Sequence, residues 1–144
     1  MSTALHDTVA ARLSESDNRY TRHRRDHIDV LVRSSKPLTI AEILAEATHL
    51  PQSSVYRNLA VFEETGLVHR LVGPGEFARF ELAEDLLGHH HHLVCTSCGA
   101  MTDVELPASL EAQIDKALTG LARRRRFQVR SHRLDVVGLC RDCS

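Results

Sequence analysis

The sequence predicts an α+β fold: a winged helix-turn-helix over residues 1–82, a hinge linker over 83–88, and a small α/β dimerisation domain with a four-cysteine zinc site over 89–144. Three observations predict it. Helical periodicity as far as Glu64 gives way to two alternating runs around Gly73-Pro74-Gly75. Beyond Gly88 the pattern changes to strand, strand, helix, strand. The four cysteines all lie in that second part, as the pairs Cys95/Cys98 and Cys140/Cys143.

Residues 3–15 read as a short amphipathic helix and residues 22–34 as a second, with Ile28, Leu31 and Val32 on one face. Ser34-Ser35-Lys36-Pro37 breaks it. Thr39 followed by Glu42 is a capping box that starts a helix through about Ala47. After the turn His49-Leu50-Pro51-Gln52, Ser53 can cap a helix running to Glu64 and closed by Gly66. The runs LVHRLV and FARFEL form a β-hairpin, which completes the winged arrangement. AEDLLG reads as a linker. HHLVC and MTDVE are expected as strands around the Cys95–Cys98 knuckle. Pro107 opens a helix with Leu110, Ile114, Ala117, Leu118 and Leu121 at helical spacing. FQVRSHRLDVVGLC is expected as one long strand, whose open edge would suit pairing with a second copy of the chain.

With 144 residues and 42% hydrophobic content, the chain can bury a core in one large or two small domains. No stretch approaches the roughly 20 apolar residues of a membrane span. The opening MSTALHDTVAARL lacks the basic-then-apolar order of an export signal, so a cytoplasmic protein with no membrane partner is expected. Net charge is only −1, but arginines crowd at Arg19, Arg22, Arg24 and Arg25 and again at Arg123–Arg126. Each run reads either as a solvated helix face or as a polyanion contact.

Without an export signal, paired Cys-x-x-Cys motifs point to metal rather than to disulfides. Four thiolates satisfy a tetrahedral zinc and leave no open position, so the site is structural. Gly99 follows Cys98 and can take the positive φ that such a knuckle requires. The run His89-His90-His91-His92 leads into the apparent strand Leu93-Val94-Cys95. Side chains alternate along a strand, so His89 and His91 face one way and His90 and His92 the other. The run is either a histidine-rich polar linker or the shared edge of two metal sites.

Several segments together resemble the ferric uptake regulator (Fur) superfamily over nearly the whole chain. They are RYTRHRR at 19–25, SSVYRNLAVFEETGLV at 53–68, RFEL at 79–82, HHHHLVCTSCG at 89–99, SHRLD at 131–135 and GLCRDC at 138–143. The resemblance implies a regulatory metal site at the hinge, with Glu81, His90 and His92 as ligands and Asp103 as a further carboxylate. Some zinc sensors of the superfamily add a ligand at the position of His69. Iron and peroxide sensors often use a histidine where this chain has Lys36, and some zinc sensors a cysteine where it has Leu82. A third site would use His89, His91, Glu111 and His132. Imidazole and carboxylate donors accept zinc, ferrous iron, manganese or nickel. The presence of His69 and the absence of a histidine at position 36 lean toward zinc.

In the helix expected from Ser53, the early residues Ser53, Ser54, Tyr56 and Arg57 can reach base edges and phosphates in a major groove. Tyr56 and Arg57 also match the superfamily's DNA-facing pair. Val55 and Leu59 would face the core. Arg19 resembles the superfamily's minor-groove arginine, and Thr21 and Arg24 are expected near phosphates. The implied function is an allosteric repressor: a homodimer engages a double-stranded palindromic operator when the hinge holds its divalent metal. The alternatives are an iron-, manganese- or peroxide-sensing repressor of the same fold and, from another class, a zinc hydrolase. The last would need an open metal position and a general base, and the sequence has no H-E-x-x-H helix.

Overall fold

A computed structural model describes residues 3–75 and 77–144. Helix α1 (Thr3–Glu15) buries His6, Val9 and Leu13. Helix α2 (Arg22–Arg33) begins at Thr21, whose hydroxyl accepts the backbone N–H of Arg24 and satisfies a donor that the helix start leaves open. The capping box before α3 (Ile40–Glu46) is formed: Thr39 Oγ1 accepts the Glu42 N–H at 3.2 Å, and the Glu42 carboxylate accepts the Thr39 N–H at 2.9 Å.

Helix α4 (Gln52–Glu64) starts one residue before the expected cap. Pro51, not Ser53, is the N-cap, and no side chain caps the helix. The Pro51 carbonyl accepts from both Ser54 and Val55, so it opens the ladder, and its missing N–H costs nothing there. Ser53 is thereby left exposed in the first turn. Gly66, at φ 72°, ends the helix as expected.

Strands β2 (Val68–Leu71) and β3 (Arg79–Leu82) form the wing hairpin, with His69 opposite Glu81. A third strand, β1 (Leu38–Thr39), pairs with β3 and gives the order β1-β3-β2. Two residues carry no readable alternation, which is why the sequence did not reveal it. Val9, Leu13, Ile28, Ile43, Val55, Phe62, Leu67 and Leu82 form the wholly buried centre of this unit.

Within 83–88, Glu84–Leu87 closes one helical turn, α5, rather than irregular chain. The Ala83 N–H donates to the Leu67 carbonyl, and Leu86 and Leu87 pack against the N-terminal core, so the turn gains an anchor on that side.

Strands β4 (His91–Cys95), β5 (Met101–Val104) and β6 (Asp135–Gly138) make the second sheet, in the order β5-β4-β6, with β6 parallel to β4. Helix α6 (Ala108–Arg124) starts at Pro107 as expected. The long strand expected over 127–140 is a correction: only Asp135–Gly138 is strand. β4 is five residues long, so it offers ladder partners for β6 and no further. The Leu134 carbonyl still accepts the His92 N–H at 3.3 Å, but residues 127–133 lie outside the ladder.

The two sheets meet through a small apolar contact of Leu71, Val94 and Met101. Beside it the wing turn sits close against the cysteine knuckle. A Cβ at Gly99 would lie 2.7 Å from the Pro74 carbonyl oxygen, and one at Gly73 would lie 2.3 Å from the Met101 methyl carbon. Glycine at position 99 lets the two backbones approach, whereas at position 73 the neighbour is the movable end of the Met101 side chain. A backbone bond from the Asp103 N–H to the Ser35 carbonyl, 3.2 Å, adds a polar link.

Candidate metal centres and nucleic-acid interface

Among the described residues, three compact groups of metal-ligating side chains emerge, each with its donor atoms within 4.8 Å of one another. The first is Cys95, Cys98, Cys140 and Cys143. All four are free thiols. β4 ends at Cys95, a tight turn at Gly99 (φ 75°) returns the chain, and parallel β6 delivers Cys140 beside it. Backbone N–H groups of Cys98 and Cys140 push the Cys95 thiol down to about 6. A hydrogen bond from Ser97 works the same way on Cys143, but the neighbouring thiols Cys140, Cys98 and Cys95 together push it up to about 11. The thiols thus cannot all ionise side by side unless a cation shares their charge. A tetrahedral zinc fits this donor set and leaves no open position.

The second group lies where the wing meets the second sheet: Glu81 from β3, His90 and His92 from the histidine run, and Asp103 from β5. Glu81 Oε2 is 2.9 Å from His90 Nε2 and 3.0 Å from His92 Nε2, and Asp103 Oδ1 is 3.7 and 3.6 Å from the same two nitrogens. Burial opposes the Glu81 charge, but His92 and His90 outweigh it and hold the carboxyl below its usual range. Burial likewise opposes a proton on His90, yet Glu81 raises its pKa, and on His92 the Glu81 bond is the largest influence, also upward. Desolvation raises Asp103. Asp103 Oδ1 is buried without a hydrogen-bond partner. An orphaned oxygen facing two imidazoles and a second carboxylate suits a divalent cation. His69 is exposed and lines the adjoining cavity of about 260 Å³, outside the four-donor group.

The third group is His89, His91, Glu111 from the first turn of α6, and His132. His91 Nε2 is 2.5 Å from Glu111 Oε1, His132 Nε2 is 3.1 Å from Glu111 Oε2, and His89 Nε2 is 3.2 Å from His132 Nε2. The alternation expected of the histidine run is realised: His89 and His91 share one site, His90 and His92 the other. His132 lies in the segment without strand pairing, not in the long strand expected to carry it.

The sequence did not reveal what holds these imidazoles. His92 Nδ1 faces Asp135 at 3.2 Å, His132 Nδ1 faces Asp115 at 3.3 Å, His90 Nδ1 faces the Gly88 carbonyl at 3.1 Å, and His89 Nδ1 faces Glu84. An acceptor on Nδ1 fixes the tautomer and presents Nε2 as the ligand nitrogen, the usual outer support of a metal-bound histidine. His91 Nδ1 is buried and has no such partner. These carboxylates carry no spacing signature; only their position on neighbouring elements brings them in.

The residues expected to meet DNA gather at one end of the N-terminal unit. Arg19, Thr21, Arg24, Ser54 and Arg57 line a shallow cleft of about 440 Å³. Tyr56, 52% exposed, and Ser53 stand on the adjoining outer face of α4. Val55 and Leu59 are buried in the core as expected. Arg24 is partly committed: Nη1 donates to the Arg19 carbonyl at 2.7 Å and Nε to Asn58 Oδ1 at 3.3 Å, bracing the α1–α2 turn against α4.

Comparison with known proteins agrees with this architecture. The model of the ferric uptake regulator family matches residues 15–137. The peroxide operon regulator of Bacillus subtilis is 31% identical over 137 residues, covering 92% of this chain and 88% of that protein. The ferric uptake regulation protein of Neisseria gonorrhoeae is 30% identical over 138 residues, covering 92% and 91%. The crystal structure of the Vibrio cholerae ferric uptake regulator superposes with a TM-score of 0.69 at 25% identity, covering 89% of this chain and 96% of that one. The Helicobacter pylori ferric uptake regulator shares the fold, with a TM-score of 0.74 at 22% identity over 97% of this chain and 91% of that one. These relatives are regulators, of ferric uptake and of a peroxide operon. No described helix is long and apolar enough to cross a membrane.

Proposed function

The chain belongs to the ferric uptake regulator family of metal-responsive transcription regulators, and on that premise we propose that it is a homodimeric, DNA-binding repressor whose hinge senses zinc. The observation that carries this reading is the composition of the hinge group. One donor, Glu81, sits on the wing, and the other three sit beyond the linker. A bound divalent cation would supply positive charge that neutralises Glu81 and Asp103 and accepts the His90 and His92 lone pairs. The residues do the rest. Glu81 at the wing's β3 is drawn to the second sheet, Leu71, Val94 and Met101 hold the apolar side of the joint, and the wing angle is fixed. In a dimer, that angle sets the spacing of two α4 helices against successive major grooves.

The homodimer is supported by the apolar surface the single chain leaves open. Leu110, Leu121, Phe127, Val129, Val136, Val137 and Leu139 are all at least 40% exposed along α6, the unpaired segment and β6. Of these, Leu121, Phe127 and Val129 line one groove with Leu118 and Ala122, apolar surface of the kind a second copy would cover. The unpaired residues 127–133 could then find their ladder in the partner copy.

Zinc is favoured because four compact donors complete a tetrahedron. His69 lends less to that choice than its place in the sequence implied, since it lies outside the compact group. Ferrous iron or manganese is the second reading. Two of the four donors are carboxylates, and those ions suit oxygen and take more ligands, with His69 and water at hand in the same cavity. We assign the four cysteines to structural zinc, and His89, His91, Glu111 and His132 to a further divalent site.

The test is DNA binding by the full chain across zinc, ferrous iron and manganese titrations, with metal content measured by elemental analysis. One chelation-resistant zinc per chain, plus a weaker zinc that switches DNA affinity and is lost in His90→Ala, is expected. Switching by iron or manganese alone would reassign the sensed ion. A +16 mass shift on His90 or His92 after peroxide treatment would reassign the signal. DNA affinity indifferent to every metal would refute the repressor mechanism.

A further inference from the structure

Helix α5 carries two adjacent carboxylates that face opposite ways. Asp85 pairs with the Arg12 guanidinium of α1, and the same guanidinium donates to the Gly66 carbonyl at 3.2 Å. Together with the Ala83–Leu67 backbone bond and the packing of Leu86 and Leu87, this makes α5 part of the reading head. Glu84 alone turns outward. Its carboxylate accepts from His89 Nδ1, which leaves His89 Nε2 facing Glu111 and His132, each at 3.2 Å. Between them stands Gly88 at φ 92°, with nothing within 4 Å of where a Cβ would be. Gly88 is a pivot, and the Glu84–His89 bond closes the turn around it.

We infer that Glu84 is a positioning residue for the His89, His91, Glu111, His132 centre, and that α5 links occupancy of that centre to the orientation of the reading head through Asp85 and Arg12. The inference rests on that centre being a metal site, as proposed above. A histidine committed through Nε2 has its ring fixed, so its Nδ1–H is held toward Glu84. With Glu84 held, the Gly88 pivot is closed, and α5 and α1 keep one orientation relative to the second sheet. With His89 uncommitted, the ring can turn, the bond to Glu84 opens, and the pivot is released. Coupling of this kind needs two arrangements of one element that both sites bias, and the Gly88 turn supplies that element.

Cobalt(II) titration of the full chain, with the cysteine site zinc-loaded, tests this. His132→Ala identifies the absorption that belongs to the third centre. In Glu84→Ala the affinity of that centre should fall by about 10- to 100-fold. Glu84→Gln keeps an oxygen acceptor and should recover most of the loss, which a general misfolding effect would not. Asp85→Ala should keep the third centre's cobalt affinity but lose the change in DNA affinity that filling it produces. Wild-type cobalt affinity in Glu84→Ala, or wild-type coupling in Asp85→Ala, would overturn the inference while leaving the metal reading intact. If the wild type shows no absorption sensitive to His132→Ala, the metal reading of that centre fails and this inference falls with it.

Discussion

Acid should loosen the reading head through one histidine that binds nothing. His27 on α2 is wholly buried, has no partner on either ring nitrogen, and meets Phe62 of α4 edge-on with centroids 5.3 Å apart. Desolvation lowers its pKa from 6.5 to about 4. The folded value lies below the unfolded one, so the unfolded chain takes up a proton that the folded chain refuses. Stability is therefore full above the unfolded value, is lost as pH falls through it, and levels off near the folded value. A gap of that size corresponds to about 3 kcal/mol in all, of which about 2 kcal/mol should be gone by pH 5. The assay is urea unfolding of the full chain, followed by far-ultraviolet circular dichroism, for wild type and His27→Leu at pH 7.5 and 5 with equal metal loading. The metal centres lose stability in both proteins alike, so the difference isolates His27. Wild type should lose about 2 kcal/mol more than the variant across this range. Profiles parallel to within about 0.5 kcal/mol would show that His27 finds a partner or water, and would refute the argument.

Three further outcomes follow from the geometry. Gly99→Ala places a Cβ against the Pro74 carbonyl at a φ of 75°, so it should destabilise the chain by about 1–3 kcal/mol, read as a lower Tm by calorimetry. At the hinge, Glu81 raises the pKa of His90 and His92, so a cation must displace protons held above the usual range; affinity in chelator competition should fall as pH drops from 8 to 6, by up to about tenfold per unit for each proton displaced. Arg57→Ala should cost about 1–3 kcal/mol of DNA affinity with relaxed sequence preference, whereas Arg24→Ala, at a residue expected near a phosphate, should shallow the salt dependence by about 0.9 in log–log slope.

What was legible in the sequence was whatever local chemistry writes in fixed spacing. Thr39 and Glu42 three residues apart make a capping box in any context, and two Cys-x-x-Cys pairs with a glycine after the first announce a knuckle. The alternation of His89 to His92 followed from strand geometry alone. The illegible parts depend on neighbours. Pro51 rather than Ser53 starts α4 because the preceding turn sets where the first carbonyl points. Residues 127–133 have strand-like composition, yet a strand needs a partner, and β4 is too short to reach them. Asp115 and Asp135 look like ordinary surface carboxylates until the fold sets them behind His132 and His92. His69 shows the opposite case: the resemblance implied it as a hinge ligand, but its cross-strand pairing with Glu81 brings it only to the margin of the donor group.

The parallel placement of β6 has a consequence for biogenesis. In the first sheet, all three strands have been made once Leu82 is added, so that unit can close on itself as it clears the ribosome, while synthesis continues. The second sheet cannot. Its central strand β4 receives its other neighbour only after β5, the whole of α6 and the unpaired segment have been translated, and the second cysteine pair follows that strand. During that interval the nascent chain exposes an open strand edge, two reactive thiols and four histidines. On the proposal that the cysteines hold structural zinc, the metal would meet this protein first as a half-made domain attached to a finished one, and a shortage of it would be felt at assembly before it was felt at any promoter.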